Sequence, residues 1–309
     1  MNKEIINFFS NKLKSPSSIK IALPEEDYRI EEACRILSDI GLEIYSPSSI
    51  VKQDSYTGLL KKLDFSKNWP DKNLQDYLDN KFILSLVMLK NNDLDGVVAG
   101  CTIPSSDVIR NSIRIIGLKK TTKWLSSMFL MVSQNLNKVF SFSDCAVIPE
   151  PTSQQLSDIA DSTSKMHSML VEQEPKVAFL SFSTKGSASH YRVENVKKAV
   201  KIFERKNSNI IHEGEIQLDA AIDRCVSNEK IHNSKLKGDA NILIFPNLDA
   251  GNIGYKLVQR FGGYFACGPL LLGLNRPVND LSRGASVEDI VLIALITAIQ
   301  VEREKNADI

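Results

Sequence analysis

Four polar loops follow predicted strands, and their side chains are of the kinds that bind anions. In αβ folds, ligands bind in the crevice beyond the carboxyl ends of the strands, so each loop is a candidate wall of a site. The first loop, residues 100–110, presents Ser105, Ser106 and Arg110 at the start of a helix predicted over 108–116. Free N–H groups, two hydroxyls and an arginine form a competent phosphate cradle. A simple N-cap role for Ser105 or Ser106 is the alternative interpretation.

The second and third loops offer further groups for phosphate. After the strand-like VAFLSF, Lys185 and the backbone around Gly186 can hold phosphate or pyrophosphate, and a flexible polar turn is the alternative. In the third loop, Asn252 is the predicted N-cap of a helix over 253–261. Arg260, near the end of that helix, is either an anion ligand or a solvated helix end.

The fourth loop, VNDLSRGASVEDIV over residues 278–291, precedes an amphipathic helix. Turn chemistry is satisfied by the Asn279-Asp280 pair and Gly284. Ser286 and Asp289 have the spacing of a capping box. Neither the turn nor the capping box requires Arg283. This arginine is therefore a candidate functional residue.

Composition and motif searches exclude several classes of function. The 309-residue chain has 38 basic and 37 acidic side chains and a net charge of +1, so neither nucleic acid nor a membrane is an expected partner. Its longest apolar runs, 82–89 and 291–299, fall short of the roughly 20 residues that cross a bilayer. Dinucleotide, P-loop, zinc-protease and serine-hydrolase motifs are missing. Five scattered cysteines and an N-terminus that is typical of an amphipathic helix favour a cytoplasmic location.

Apolar runs alternate with helical patterns, which indicates αβ units with largely parallel sheets. The predicted strands are 19–23, 42–45, 96–99, 139–142, 177–181, 210–211 and 242–245. The predicted helices include 30–38, 74–90, 154–172, 193–205, 253–261 and 287–302. Polar residues 117–123 and the Gly268-Pro269 pair are the breaks at which the chain is expected to cross between two domains.

Taken together, the segments resemble the phosphate acetyl/butyryltransferases, or phosphotransacetylases. The similar segments, in the family's order, are IALPEED, DGVVAG with SSDVIR, FSDCAV, SFSTKGSA, HEGEIQLDAAI, KGDANILIFPNLDAGNIGYKLVQR and GPLLLGLNRPVNDLSRGASVEDIV. They cover nearly the whole chain, and as a set they are highly specific.

The resemblance implies an isocitrate/isopropylmalate dehydrogenase-like fold of two αβα domains with the active site in the cleft between them. The first domain would comprise 1–120 plus 269–309, and the second 121–268. The implied reaction is reversible transfer of an acetyl or other short acyl group between CoA and inorganic phosphate in a ternary complex, with acetyl phosphate as the other substrate. CoA is a substrate in this reaction, and no metal or covalent cofactor is expected. Family members commonly form homodimers.

The resemblance also assigns roles to residues. Asp289 matches the base that deprotonates the CoA thiol, and Ser282 and Arg283 match a catalytic Ser-Arg pair. Arg110 and Arg260 match phosphate-clamping arginines. The remaining substrate-binding positions are Ser105, Ser106, Lys185, Gly186 and Asn252.

The chain departs from the family pattern at several places. Ala285 stands where the family often has cysteine, Ile103 or Pro104 where it has histidine, and Asn111 where it has proline. Residues 61–80 are a shortened region, and a usual upstream arginine has no match, which bears on CoA affinity. The alternatives are a phosphate butyryltransferase, a non-catalytic CoA-binding regulatory protein, and a hydroxyacid dehydrogenase with the shared fold.

Overall fold

The structure is a computed structural model that describes residues 3–307. The helices are α1 Lys3–Ser10, α2 Tyr28–Asp39, α3 Ser55–Leu60, α4 Asp71–Leu78, α5 Lys81–Lys90, α6 Ser105–Ile115, α7 Ser153–Val171, α8 Tyr191–Lys206, α9 Leu218–Ile222, α10 Arg224–Lys230, α11 Leu248–Gly262 and α12 Val287–Ala307. The strands are β1 Lys20–Ala22, β2 Glu43–Tyr45, β3 Gly96–Ala99, β4 Ser126–Val132, β5 Val139–Ser143, β6 Lys176–Leu180, β7 Ile211–Ile216, β8 Ile242–Ile244, β9 Phe265–Leu272 and β10 Val278–Asp280. A 3₁₀ turn covers Pro16–Ser18.

The chain forms two compact units. Unit 1 contains the described residues up to Thr121 and from Leu274 onward, and unit 2 is Thr122–Gly273. Each unit has its own sheet, and parallel strand pairs dominate in both. None of the described helices is long and apolar enough to cross a membrane.

Unit 1 is built on a parallel sheet with the order β10-β3-β1-β2. Helix α12 packs against β1, β3 and β10, and its segment Ile290–Ile299 is buried on every side. Such a helix needs apolar residues around its whole circumference, which the sequence supplies. The central strands therefore lie in the apolar core of unit 1. The polar side chains of the candidate site are in the loops beyond the strand ends.

Unit 2 is built on a six-stranded sheet with the order β7-β6-β8-β5-β4-β9. The pairs from β7 to β5 are parallel, whereas β4 runs antiparallel to β5 and β9. The apolar side chains Phe179, Phe203, Ile242 and Ile244 form part of the core between this sheet and its helices. As in unit 1, the loops that carry the predicted site residues follow parallel strands.

Four strands differ from the sequence prediction, and one of them, β7, spans Ile211–Ile216 rather than the predicted 210–211. β4 and β9 were not predicted, and the expected break at Gly268-Pro269 lies inside β9. β10 was predicted as a turn because Asn279 and Asp280 are turn formers, yet both are buried, and Asn279 donates to Thr297 Oγ1 at 2.9 Å. A buried partner on α12 therefore overrides the local preference of Asn279 for a turn.

Three predicted helices also differ, and one of them, predicted over 108–116, begins at Ser105. The helix predicted over 74–90 is two helices, because the Asn80 side chain accepts from Phe82 N and Ile83 N and starts α5 anew. The helix predicted over 253–261 begins at Leu248 instead.

Candidate functional site

The loop after β10 presents Ser282 and Arg283 to solvent and then enters α12. The predicted capping box is confirmed, since Asp289 N donates to Ser286 Oγ at 3.2 Å. In return, Asp289 Oδ2 accepts from Ser286 N at 2.9 Å and from Ser286 Oγ at 2.8 Å. Both of these bonds use one carboxylate oxygen. Oδ1 of the half-exposed Asp289 is thus available to another partner.

Arg29, at the start of α2, holds this loop in place. Its Nη1 donates to the carbonyl oxygens of Arg283, at 3.0 Å, and Ala285, at 2.8 Å. Its Nε and Nη2 donate to the carboxylate of Asp27, and the hydrogen bonds from Arg29 lower the Asp27 pKa to about 2. The sequence does not identify Arg29, because the carbonyl groups that it binds lie more than 250 residues later in the chain. A surface pocket of 340 Å³ beside it is lined by Tyr28, Arg29, Ser286, Val287 and Glu288.

Glu25, in the loop after β1, organises the loop after β3. This residue is 4% exposed. It accepts from the backbone N–H groups of Gly100 at 2.7 Å, Cys101 at 3.0 Å, Thr102 at 2.6 Å and Ile103 at 2.9 Å, and from the Thr102 hydroxyl at 2.8 Å. Five donors around one buried carboxylate fix the backbone that leads into α6.

The serines of this loop lie at the first turn of α6 but do not cap it. Pro104 occupies the N-cap position, so the predicted N-cap role of Ser105 or Ser106 is wrong. Both hydroxyls are instead on exposed residues beside the free N–H groups of the helix start. Arg110 is exposed one turn further on and pairs with Asp107 at 2.8 Å. This arrangement is suited to binding an anion, which is the role that the sequence predicts for the loop.

Asp280 is a buried carboxyl at the same edge of the sheet. It ends β10 and is 2% exposed. Burial and the charge of Glu25 raise its pKa to about 7, against a hydrogen bond with Ser105 that acts in the other direction. Because β10, β3 and β1 are adjacent parallel strands, the loops with Ser282–Asp289, Ser105 and Arg29 meet at one edge.

In unit 2, the loop after β6 is held by two buried glutamates of β7. Glu215 Oε1 accepts from Ser183 Oγ at 2.9 Å and from Gly186 N at 2.6 Å. Glu213 pairs with Lys185 Nζ at 3.1 Å. Gly186 has a φ of +88°, a conformation that glycine adopts at low cost. The predicted phosphate loop is therefore an ordered turn with an exposed lysine.

The N-terminus of α11 corrects the predicted role of Asn252. Asn247 is the N-cap, and its side chain accepts from Ala250 N. Asn252 lies inside the helix, where its Nδ2 donates to Cys145 O at 3.0 Å and ties α11 to the end of β5. Arg260 is exposed in the last turn of α11. Within residues 3–307, no group of three or more His, Cys, Asp or Glu side chains is arranged to hold a metal ion.

Comparison with known proteins shows extensive similarity. The family model described as "Phosphate acetyl/butaryl transferase" matches residues 18–298. A phosphate acetyltransferase of Clostridium acetobutylicum is 37% identical over 300 residues, covering 95% of this chain and 90% of the relative. The EutD phosphotransacetylase structure from Staphylococcus aureus is 35% identical with a TM-score of 0.82, covering 97% of this chain and 98% of that chain. A phosphotransacetylase structure from Streptococcus pyogenes is 31% identical with a TM-score of 0.86, covering 98% and 99%.

Proposed function

The chain belongs to the phosphate acetyl/butyryltransferase family, and from that premise we propose that it is a phosphate acetyltransferase. The reaction is reversible acetyl transfer between CoA and inorganic phosphate, with acetyl phosphate as the acyl donor in one direction. The observation that carries the proposal is the loop after β10. There, exposed Ser282 and Arg283 precede an Asp289 whose Oδ1 is not used by the capping box.

Asp289 serves as the general base in this proposal. A thiol has an ordinary pKa of about 8.5, so most of it is protonated at neutral pH and attacks poorly. The Asp289 carboxylate removes the CoA thiol proton as sulfur attacks the acetyl carbonyl carbon. The S–C bond forms and the C–O bond to phosphate breaks, with phosphate leaving with the electron pair. The proton that Asp289 took is then released to phosphate or water.

The proposal also assigns hydrogen-bond donors that stabilise the charge developing in the transition state. Negative charge grows on the carbonyl oxygen and on the leaving phosphate, and fixed donors lower the energy of that state. Ser282 and Arg283 are assigned to the reacting carbonyl and phosphate. The proposed substrate-binding residues are Ser105, Ser106 and Arg110 in unit 1, and Lys185, Gly186, Asn252 and Arg260 in unit 2.

A direct assay separates this function from its alternatives. Purified protein is mixed with CoA and acetyl, propionyl or butyryl phosphate, and thioester absorbance is followed with and without a chelator. Thioester formation fastest with acetyl phosphate supports the proposal, and a preference for butyryl phosphate supports a phosphate butyryltransferase instead. Tight CoA binding with no turnover indicates a regulatory protein. Turnover that is lost with the chelator contradicts the expectation that no metal takes part.

A homodimer is proposed on the basis of α11. Its side chains Ile253, Leu257 and Phe261 are 58%, 50% and 86% exposed and recur every four residues on one helix face. Such an apolar stripe is costly in water and is typical of an interface. Light scattering of the Phe261→Asp variant should show a monomer. Val51→Asp, at an exposed apolar side chain of unit 1, is the control that should stay dimeric.

A cytoplasmic location is also proposed. Its support is the set of five free cysteines, since reduced thiols are the norm in that compartment. Fractionation of cells that produce the protein tests it directly, and recovery outside the cytoplasmic fraction would contradict it.

A further inference from the structure

Three exposed aromatic rings lie together where β6 is connected to α8. Phe182 is 58% exposed, Tyr191 is 65% exposed, and the exposed His190 contacts both. The ring centroids of Phe182 and His190 are 5.9 Å apart, edge to face, and those of His190 and Tyr191 are 4.5 Å apart. Aromatic side chains are costly to leave in water, so a surface cluster of them indicates a binding site. These three rings are the aromatic platform.

Hydrogen bonds of the backbone hold the platform in place. The Phe182 carbonyl oxygen accepts from Gln217 Nε2 at 3.0 Å. His190 is the N-cap of α8, and its Nδ1 accepts from Arg192 N at 3.3 Å. The rings therefore project from a fixed loop and a helix start. A ligand that binds to them orders little of the chain, which lowers the cost of binding.

A cation lies beside the platform. The guanidinium of Arg192 is 5.7 Å from the centroid of the Tyr191 ring, and its Nε donates to the Tyr191 hydroxyl at 3.0 Å. Its Nη2 lies 3.7 Å from a carboxylate oxygen of Glu150. Both side chains of this pair are about half exposed or more, so the pair is weak in water. A phosphate group, which accepts strong hydrogen bonds from arginine, can replace Glu150.

The platform lies where ligands bind in αβ folds. β6 pairs in parallel with β7 and β8, and the platform follows its carboxyl end. The same loop contains Lys185 and Gly186, which are proposed above to bind substrate. Aromatic rings that can stack on a base, next to a cation and to a phosphate-binding loop, match the chemistry of a nucleotide. This location favours a nucleotide over a protein partner.

We propose that the aromatic platform stacks on the adenine of CoA and that Arg192 binds the 3′-phosphate of its ribose. This inference rests on the proposed function. CoA carries 3′-phosphoadenosine at the end remote from its thiol, so the platform contributes to binding and takes no part in the chemical step. Losing such contacts raises KM for CoA and leaves kcat unchanged, because ground state and transition state lose them equally.

The first test compares CoA with a truncated substrate. In Phe182→Ala, KM for CoA should rise about tenfold, which is the size expected for losing an aromatic ring that stacks on a base. KM for pantetheine, which has the thiol but no nucleotide, should not change, and neither should KM for acetyl phosphate. Phe182→Trp keeps a ring and should bind CoA as the wild type does. An unchanged KM for CoA in Phe182→Ala, or an equal rise for pantetheine, overturns the proposal.

Arg192→Ala tests the contact with the 3′-phosphate. Its KM for CoA should rise about tenfold, because hydrogen bonds between arginine and phosphate are charge-assisted. With dephospho-CoA, which lacks the 3′-phosphate, the variant and the wild type should have the same KM. Arg205→Ala removes the same charge near the other end of α8 and is the control that should match the wild type. A loss in Arg192→Ala that is equally large with dephospho-CoA overturns the role of Arg192.

A binding measurement separates the platform from the proposed function. Adenosine 3′,5′-bisphosphate is the nucleotide end of CoA without its thiol, so calorimetry with this compound requires no turnover. Phe182→Ala and Arg192→Ala should each bind it about tenfold more weakly than the wild type. If no thioester forms in the wild type, the proposed function fails, while this titration still decides the site. Equal affinity of Phe182→Ala and the wild type, or no binding by the wild type, overturns the inference.

Discussion

The guanidinium of Arg29 donates a 3.0 Å hydrogen bond to the backbone carbonyl of Arg283, 254 residues later in the chain. The Arg283 side chain stays exposed while its backbone is fixed. Arg29 thus positions the backbone of Arg283, the residue proposed to stabilise the reacting group. The loop after β10 and the loop after β3 are thus each held by a side chain from the segment after β1, by Arg29 and by Glu25 respectively.

Replacing Arg29 by lysine should misplace the loop after β10. A lysine has a single ammonium group and cannot bond Asp27 and two carbonyls in the planar arrangement that arginine provides. Because an error of about 1 Å in a reacting group can cost roughly 10²-fold, kcat should fall by about that factor. The free energy of unfolding should change by only about 1 kcal/mol.

Arg35→Lys is the matched control for this variant. Arg35 lies on the same helix, is exposed, and pairs with the exposed Glu32. Steady-state kinetics on both variants should show a loss in Arg29→Lys alone. An equal kcat in the two variants would mean that the loop does not depend on Arg29.

Glu25→Gln should destabilise unit 1. The amide group replaces an acceptor with a donor, so N–H groups of the loop after β3 lose their partner inside the protein. A buried donor left unsatisfied costs about 1–3 kcal/mol, so urea unfolding should show a loss of at least roughly 2 kcal/mol. Glu26→Gln, at the exposed neighbour, should lie within about 0.5 kcal/mol of the wild type. Equal stability of the two variants would contradict the assigned role of Glu25.

Asp280 should make stability depend on pH. Its pKa is about 7 in the folded protein against 3.8 ordinarily, so the folded state binds the proton more tightly. The stability from this group is complete below pH 4 and is lost as pH rises to about 7. The wild type should therefore lose roughly 2–3 kcal/mol more than Asp280→Asn between pH 5 and pH 8. Parallel urea titrations check this, and identical slopes in the two proteins would refute the raised pKa.

The sequence predicts the family and the αβ class, and the comparisons confirm both. The capping box of Ser286 and Asp289 is also predicted correctly, because capping depends on residues three positions apart. Local spacing of this kind is visible in one segment of sequence. Helix starts at Pro104 and Asn247 were placed wrongly because several polar residues there were equally good caps.

The supporting residues could not be read from the sequence. Glu25 and Arg29 act on loops far along the chain, and no local pattern marks such contacts. Asp280 has the residue type of a turn, and only the packing of α12 and α6 onto β10 makes it a buried acid. Long-range burial, rather than local preference, decides all three.

The roles of Asp289 as base and as helix cap are separated by one pair of variants. Asp289→Asn keeps a capping side chain but removes the base, and Ser286→Ala removes the hydroxyl of the cap but keeps the carboxylate. With CoA and acetyl phosphate, kcat of Asp289→Asn should fall by about 10²–10⁴-fold. Ser286→Ala should lose about 1 kcal/mol of stability with kcat nearly unchanged. An Asp289→Asn variant that turns over at the wild-type rate would contradict the proposed mechanism.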